Sequence, residues 1–416
     1  MCPGGILDVM LDQVLKRLIR HGHLVVIDAQ GSKKEYGNAA DAQNPSYGAE
    51  PLTMHLHDKS VAWTIALNPD PAFAEAYMDG RLSFTGGRIW DFLELVGRNI
   101  TSGSGARMPA SIGRALGFMM RKVHQLNPAG LSRQNVAHHY DLSGELYDLF
   151  LDKDHQYSCA YFPTADATLE AAQAAKKRHI ANKLLLKSGM RVLDIGCGWG
   201  GMALSIAKQV EGVHVLGITL STEQLAIARK RAEEEGLADR VKFELIDYRF
   251  VDGQFDRIVS VGMFEHVGVP NYQAFFDKVQ SLLTEEGVAL IHAIGRNEGP
   301  GITSPFIRKY IFPGGYIPAL SEVVTRIEMT RLWMTDIEIL RLHYAETLKH
   351  WRYRFLENWD RAEQIYDARF CRMWEFYLAV SEMSFRYDTL MVWQIQLSKR
   401  LETVPLTRDY LYAKGA

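Results

Sequence analysis

The sequence predicts a doubly wound α/β fold with a mostly parallel sheet, preceded by a small α+β unit. Three observations predict it. From residue 191 the runs "RVLDIG", "VHVLGIT", "VKFELID", "FDRIVSVG" and "GVALIHAIG" follow one another, mostly apolar on both faces, as strands covered on both sides are. Helical stretches such as "STEQLAIARKRAEEEG" separate them, and that alternation gives parallel strands between helix layers. The first run enters a glycine-rich turn, "RVLDIGCGWGG" (191–201), where doubly wound sheets hold ligands.

Taken in order, residues 1–100 read as the α+β unit. Leu7, Met10, Leu11, Val14 and Leu18 lie at helical spacing. Extended pieces follow at "HLVVIDA" and "PLTMHLHD", then helical runs through "PAFAEAYMDGRLS" and "RIWDFLELVGRN". "NITSGSGARMPASIG" has no periodicity and places a linker over 101–134, with a catalytic domain over 135–416. After Gly295 come an aromatic stretch, "PFIRKYIFPGGYIP", helical patterns from His343 to about Asp388, and a strand-like "LMVWQIQLS". Within the aromatic stretch, Arg308 and Lys309 among Phe306, Tyr310, Phe312 and Tyr316 suit either a lid over an apolar pocket or a packed loop.

Composition narrows the function. The formal charge of −2 gives no electrostatic case for nucleic acid. At the N-terminus Lys16, Arg17 and Arg20 follow the apolar residues, whereas a signal peptide places charge first, so a cytoplasmic start is expected. No run approaches the roughly 18 apolar residues of a membrane span. Cys2, Cys159, Cys197 and Cys371 lack paired short spacings and read as free thiols. His55 with His57, and His138 with His139, lack a third ligand at zinc spacing, so no metal is expected.

The glycine turn satisfies two templates. Gly196, Gly198 and Gly201 fit the dinucleotide pattern; Asp194, Gly196, Gly198 and Gly200 fit D-x-G-x-G-x-G. A nicotinamide site has a carboxylate about twenty residues on, to hold the ribose. Here that place is "GITLSTEQ", where Thr219, Ser221 and Gln224 are neutral. Asp194 ends the first strand, where its charge would repel a pyrophosphate but attract an ammonium and a sulfonium. The loop therefore suits S-adenosylmethionine, with Asp247 and Tyr248 of "LIDYR" placed to bond and stack an adenine.

Taken with "QYSCAYF" (156–162), "GMFEHVGVPNY" (262–272), "LIHAIG" (290–295) and "LHYAETLKHW" (342–351), the chain resembles the cyclopropane-fatty-acid-phospholipid synthases over its whole length. The resemblance implies a class I S-adenosylmethionine-dependent methyltransferase fold. It also implies transfer of a methylene group to the cis double bond of an unsaturated phospholipid acyl chain, with bound bicarbonate as base. It implies bicarbonate ligands at Cys159, Glu265, His292 and Tyr344 with the backbone of Ile294, and cofactor contacts at Tyr157, Ser158, Gly196, Thr219, Gln224, Asp247 and Tyr248. By themselves, Cys159 and His292 read as core residues and Tyr344 as an interface aromatic.

A carboxylate beside bicarbonate would set two anions together; sharing the bicarbonate proton with Glu265 removes the conflict. Methyl-branched or methylene fatty acids arise if the same cation is quenched differently, so a fatty-acid C-methyltransferase is the alternative. Two roles are open to the N-terminal unit, a lipid contact or a homodimer contact. The expected location is the cytoplasm, at the inner face of the plasma membrane.

Overall fold

The computed structural model describes residues 4–38, 51–101 and 144–412. Two compact units are formed: the described residues up to 101, with 304–311 and 348–389, make one, and 144–303, 312–347 and 390–412 the other. Residues 102–134 of the expected linker, with His138 and His139, lie outside the described residues.

The first unit is α+β. Helix 4–18 precedes β1 (His23–Ile27), β2 (Lys33–Gly37) and β3 (Leu52–Leu56); helices 59–67 and 69–78, β4 (Leu82–Thr85) and helix 89–101 follow. The sheet runs β2-β1-β3-β4, with β1 and β3 parallel and the outer pairs antiparallel. Strand β2, "KKEYG", buries only Tyr36 and so shows no apolar pattern in sequence. The helical run that the sequence joins to the catalytic portion packs with this unit from residue 348 onward. Its longest helix, 368–387, buries Trp374, Phe376, Tyr377 and Phe385, and its buried Glu375 accepts from Tyr77 (2.7 Å) and Arg88 (3.0 Å).

The aromatic stretch is divided between the units. Phe306 packs edge-on against Phe376 at 4.9 Å, and Lys309 and Tyr310 both reach Glu75, at 2.7 and 2.8 Å. Tyr316, in the second unit, is buried with its hydroxyl on Glu322 at 2.7 Å.

The second unit is a seven-stranded sheet of order β10-β11-β9-β8-β5-β6-β7. Its strands are β5 (Arg191–Ile195), β6 (His214–Thr219), β7 (Val241–Leu245), β8 (Phe255–Val261), β9 (Leu283–Arg296), β10 (Trp333–Ile339) and β11 (Leu390–Ser398). Strands β5 to β9 are parallel, and β11 inserts antiparallel between β9 and β10.

Alternate residues serve opposite faces. Leu193, Ile195, Ile258 and Ile291 pack with Phe275, Val279, Val323 and Ile327 of helices 272–282 and 320–328. Val192, Val215, Val259 and Leu290 pack with residues of helices 169–184, 201–209 and 222–234. This two-sided burial is why the strands read as unbroken apolar runs. From β5 the chain first goes to β6 on one side and later to β8 on the other, so a crevice opens beyond the carboxyl ends of these strands. Among the described residues, no helix is long and apolar enough to cross a membrane.

Candidate active site

That crevice is a cavity within the second unit. Nine of the ten expected cofactor residues line it: Tyr157, Ser158, Asp194, Gly196, Gly198, Thr219, Gln224, Asp247 and Tyr248. Gly200 does not. It caps helix 201–209 at φ +84°, where a Cβ would meet Phe243 Cζ at 2.7 Å and Ala228 Cβ at 3.1 Å, so its role is backbone shape and close packing.

Asp194 is delivered by the end of β5 and is 1% exposed. Its Oδ2 is buried with no hydrogen-bond partner. Burial pushes the carboxyl up to about 7, opposed by the positive charge of Lys176 and the Ala203 N–H. A buried, unpartnered carboxylate oxygen in a cavity calls for a cation or a donor on the ligand, and an α-ammonium fits. At the end of β6, Thr219 donates to Gln224 Oε1 at 3.0 Å, while Ser221 caps helix 222–234 through the Gln224 N–H at 3.2 Å. Beyond β7, both carboxylate oxygens of Asp247 are engaged by Arg249, at 2.9 and 2.6 Å, and Arg249 also lines the cavity. Sequence reading missed this arginine; "LIDYR" carried the signal, two residues past the aspartate.

Tyr157, Ser158 and Cys159 lie on a strap, residues 152–162, that is tied down almost residue by residue. Asp152 accepts from the Asp154 and Gln156 N–H groups at 3.1 and 2.9 Å, and Asp154 pairs with Lys177 and Arg231. Gln173 donates to the Gln156 and Ser158 carbonyls at 3.1 and 3.0 Å. Ala160 N–H donates to Thr347 Oγ1 at 3.0 Å and Phe162 N–H to His343 Nδ1 at 2.9 Å. The Tyr157 ring is held edge-on by Tyr147 and Phe150.

None of the five expected catalytic residues lines the cavity, although their neighbours Ser158, Met263 and His266 do. Glu265 follows β8 and Ile294 lies on β9; Glu265 Oε1 accepts the Ile294 N–H at 2.6 Å. Its other oxygen is buried and unpartnered, and burial lifts the carboxyl to about 7. His292, also on β9, is 2% exposed, and burial followed by the charge of Lys176 lowers it to about 3, so the ring is neutral. The Gln394 side-chain amide lies 3.0 Å from its Nδ1 and orients the ring. Cys159 is buried with its thiol pushed up by desolvation, so it is a neutral donor, and Sγ donates to Ala160 O at 3.3 Å. Tyr344 lies in the first turn of helix 343–357 and is 7% exposed. Taken as a set, the five expected residues bring neutral polar groups and one protonatable carboxyl with an orphaned oxygen, chemistry compatible with a small hydroxylated anion. His55 and His57 are engaged by Thr85 and Ser83, at 2.8 and 2.7 Å.

Sheet order, antiparallel insertion and this cavity define a class I S-adenosylmethionine-dependent methyltransferase, and S-adenosylmethionine is the co-substrate of the class. Residues 130–395 match the mycolic acid cyclopropane synthetase family, and the chain belongs to that family. It is 44% identical to the cyclopropane-fatty-acyl-phospholipid synthase of Escherichia coli (strain K12), over 64% of this chain and 67% of that one. It is 35% identical to the tuberculostearic acid methyltransferase UfaA1 of Mycobacterium tuberculosis, over 92% and 89% of the two chains. The crystal structure of mycolic acid cyclopropane synthase CmaA1 complexed with SAH and CTAB is 33% identical with a TM-score of 0.61, covering 65% of this chain and 99% of that one.

Proposed function

We propose that the protein converts the cis double bond of unsaturated phospholipid acyl chains to a cyclopropane ring, acting from the cytoplasm at the inner face of the membrane. S-adenosylmethionine supplies the one-carbon unit as an electrophilic methyl, and bicarbonate supplies the base that removes a proton from it so that the ring closes. Asp194 receives the ammonium of the donor, Thr219 and Gln224 its ribose, and Asp247 and Tyr248 its adenine. Met263, Val261, Ile195 and Val267 give the cavity an apolar wall, which excludes water from a weakly nucleophilic alkene. Cys159, His292 and Tyr344 with the Ile294 backbone hold the bicarbonate, and Glu265 shares its proton.

The observation that supports this reading is the strap: Tyr157 and Ser158 line the donor cavity, and the next residue in the chain, Cys159, is one of those assigned here to the bicarbonate. A second reading, a C-methyltransferase giving methyl-branched or methylene products, is favoured by the match to the methyltransferase UfaA1 over 92% of the chain. Incubation with cis-unsaturated phospholipid vesicles and methyl-labelled S-adenosylmethionine, followed by proton NMR of the released fatty acids, tests both. Ring protons are expected; a branched-methyl or exocyclic methylene signal selects the second reading, and unlabelled lipid overturns both.

A further inference from the structure

Lys176 sits within helix 169–184 yet is 1% exposed. Its Nζ donates to neutral atoms, Gln156 Oε1 at 2.6 Å and Ser158 Oγ at 2.9 Å. No ion pair joins it among the described residues. Lys183, two turns along the same helix and equally buried, is by contrast paired with Glu338 at 2.5 Å and Asp336 at 3.5 Å. A buried ammonium without a contacting carboxylate is costly, and it persists where nearby charge balances it.

The groups that feel its charge are Asp152, Asp154, Lys177, Asp194, Cys159 and His292. Asp154 is already neutralised by Lys177 and Arg231, and Asp152 accepts two backbone N–H groups. Asp194 is reserved for a cationic ligand in the reading above. Cys159 and His292 belong to the set proposed to hold the anion, whose own side chains bring no cation: Cys159 and His292 are neutral, Tyr344 is a phenol and Glu265 a carboxyl. An anion there needs positive charge from outside the cluster.

We infer that Lys176 is a positioning residue that supplies the balancing charge for a bicarbonate-sized anion held at Cys159, Glu265 and His292. Through Gln156 and Ser158 it also ties the strap in register with that anion. The inference rests on the reading of the cluster as an anion site.

The test uses full-length wild type, Lys176→Met and Lys176→Gln. Thermal denaturation is followed against sodium bicarbonate at constant ionic strength with S-adenosylhomocysteine present, alongside the bicarbonate dependence of product formation and the affinity for S-adenosylmethionine. In both variants the half-saturating bicarbonate concentration should rise about tenfold or more, with a smaller change in donor affinity and the loss falling on this concentration rather than on kcat. Half-saturation within twofold of wild type in both folded variants overturns the inference, as does a loss confined to donor affinity. Should neither variant fold, wild type alone answers: burial lowers Lys176 to about 8, so half-saturating bicarbonate should climb above that pH, and a flat profile overturns the inference. A wild type indifferent to bicarbonate in both measurements overturns the anion site itself; a responsive wild type with unaltered variants overturns the role of Lys176 alone.

Discussion

Replacing Asp194 with Asn tests the electrostatics of donor binding most directly. Lifting this carboxyl from 3.8 to about 7 corresponds to about 4 kcal/mol by which the empty site disfavours the charged form. A ligand that needs the carboxylate must therefore expel a proton whenever it binds below about pH 7. Affinity for S-adenosylmethionine should fall about tenfold for each pH unit below that point. Above about pH 8 the donor's own α-ammonium begins to lose its proton, so the curve should be flat between 7 and 8 and fall on both sides. Asp194→Asn keeps the shape and removes the charge. At pH 7.5 it should weaken binding by about 2 to 4 kcal/mol, roughly thirty- to a thousandfold, and abolish the acid limb. Isothermal titration calorimetry from pH 5.5 to 8.5, in buffers of differing ionisation enthalpy, counts the released proton. A variant within threefold of wild type, or a wild-type affinity that does not vary between pH 5.5 and 7, would refute the reasoning.

The same buried acids set the stability of the ligand-free protein. Between their ordinary values and about 7, folded Asp194 and Glu265 hold protons that the unfolded chain has lost, so stability falls as pH rises through this window. Asp194→Asn and Glu265→Gln should each stabilise the fold at pH 8, by about 3 to 4 kcal/mol at most, and so raise its melting temperature, with little change at pH 4; calorimetry without ligand checks this. Glu265→Gln should also lower product formation at ambient bicarbonate, with partial rescue when bicarbonate is added, and kinetics equal to wild type would count against the shared proton. Gly200→Ala should lose about 1 to 3 kcal/mol in denaturant unfolding, because the new Cβ meets Phe243 in a left-handed backbone. Asp154→Ala leaves Lys177 and Arg231 without their shared carboxylate; about 2 kcal/mol of stability and a weaker donor affinity should be lost together in chemical denaturation and calorimetry.

Much of the second unit is legible in the sequence because its central strands are buried on both faces. "RVLDI" and "HVLGIT" are β5 and β6, and "LMVWQIQLS" is β11 residue for residue. Strand β10 is not legible: "WMTDIEI" lies at the sheet edge, half exposed along its length, so no apolar run marks it. The grouping of 348–389 with the N-terminal unit is equally hidden, since a helical pattern says which face is apolar but not which partner covers it. Among the site residues, nine of the cofactor positions converge on the cavity: seven lie at or follow strand ends, which in a doubly wound sheet must meet there, and Tyr157 and Ser158 come from the strap. Lys176 escapes notice for a physical reason. The inner face of helix 169–184 carries Gln173, Lys176, His179 and Lys183, residues whose polarity in sequence signals solvent rather than burial.

Because Tyr157, Ser158 and Cys159 are consecutive, an anion held by Cys159 as proposed would lie at a spacing from the donor cavity tied to bond lengths, about 3.8 Å from one Cα to the next. Substitutions that nudge the supporting helix will carry both subsites along together. Mutational drift in the scaffold is then absorbed as a common translation, and the distance that chemistry depends on survives it.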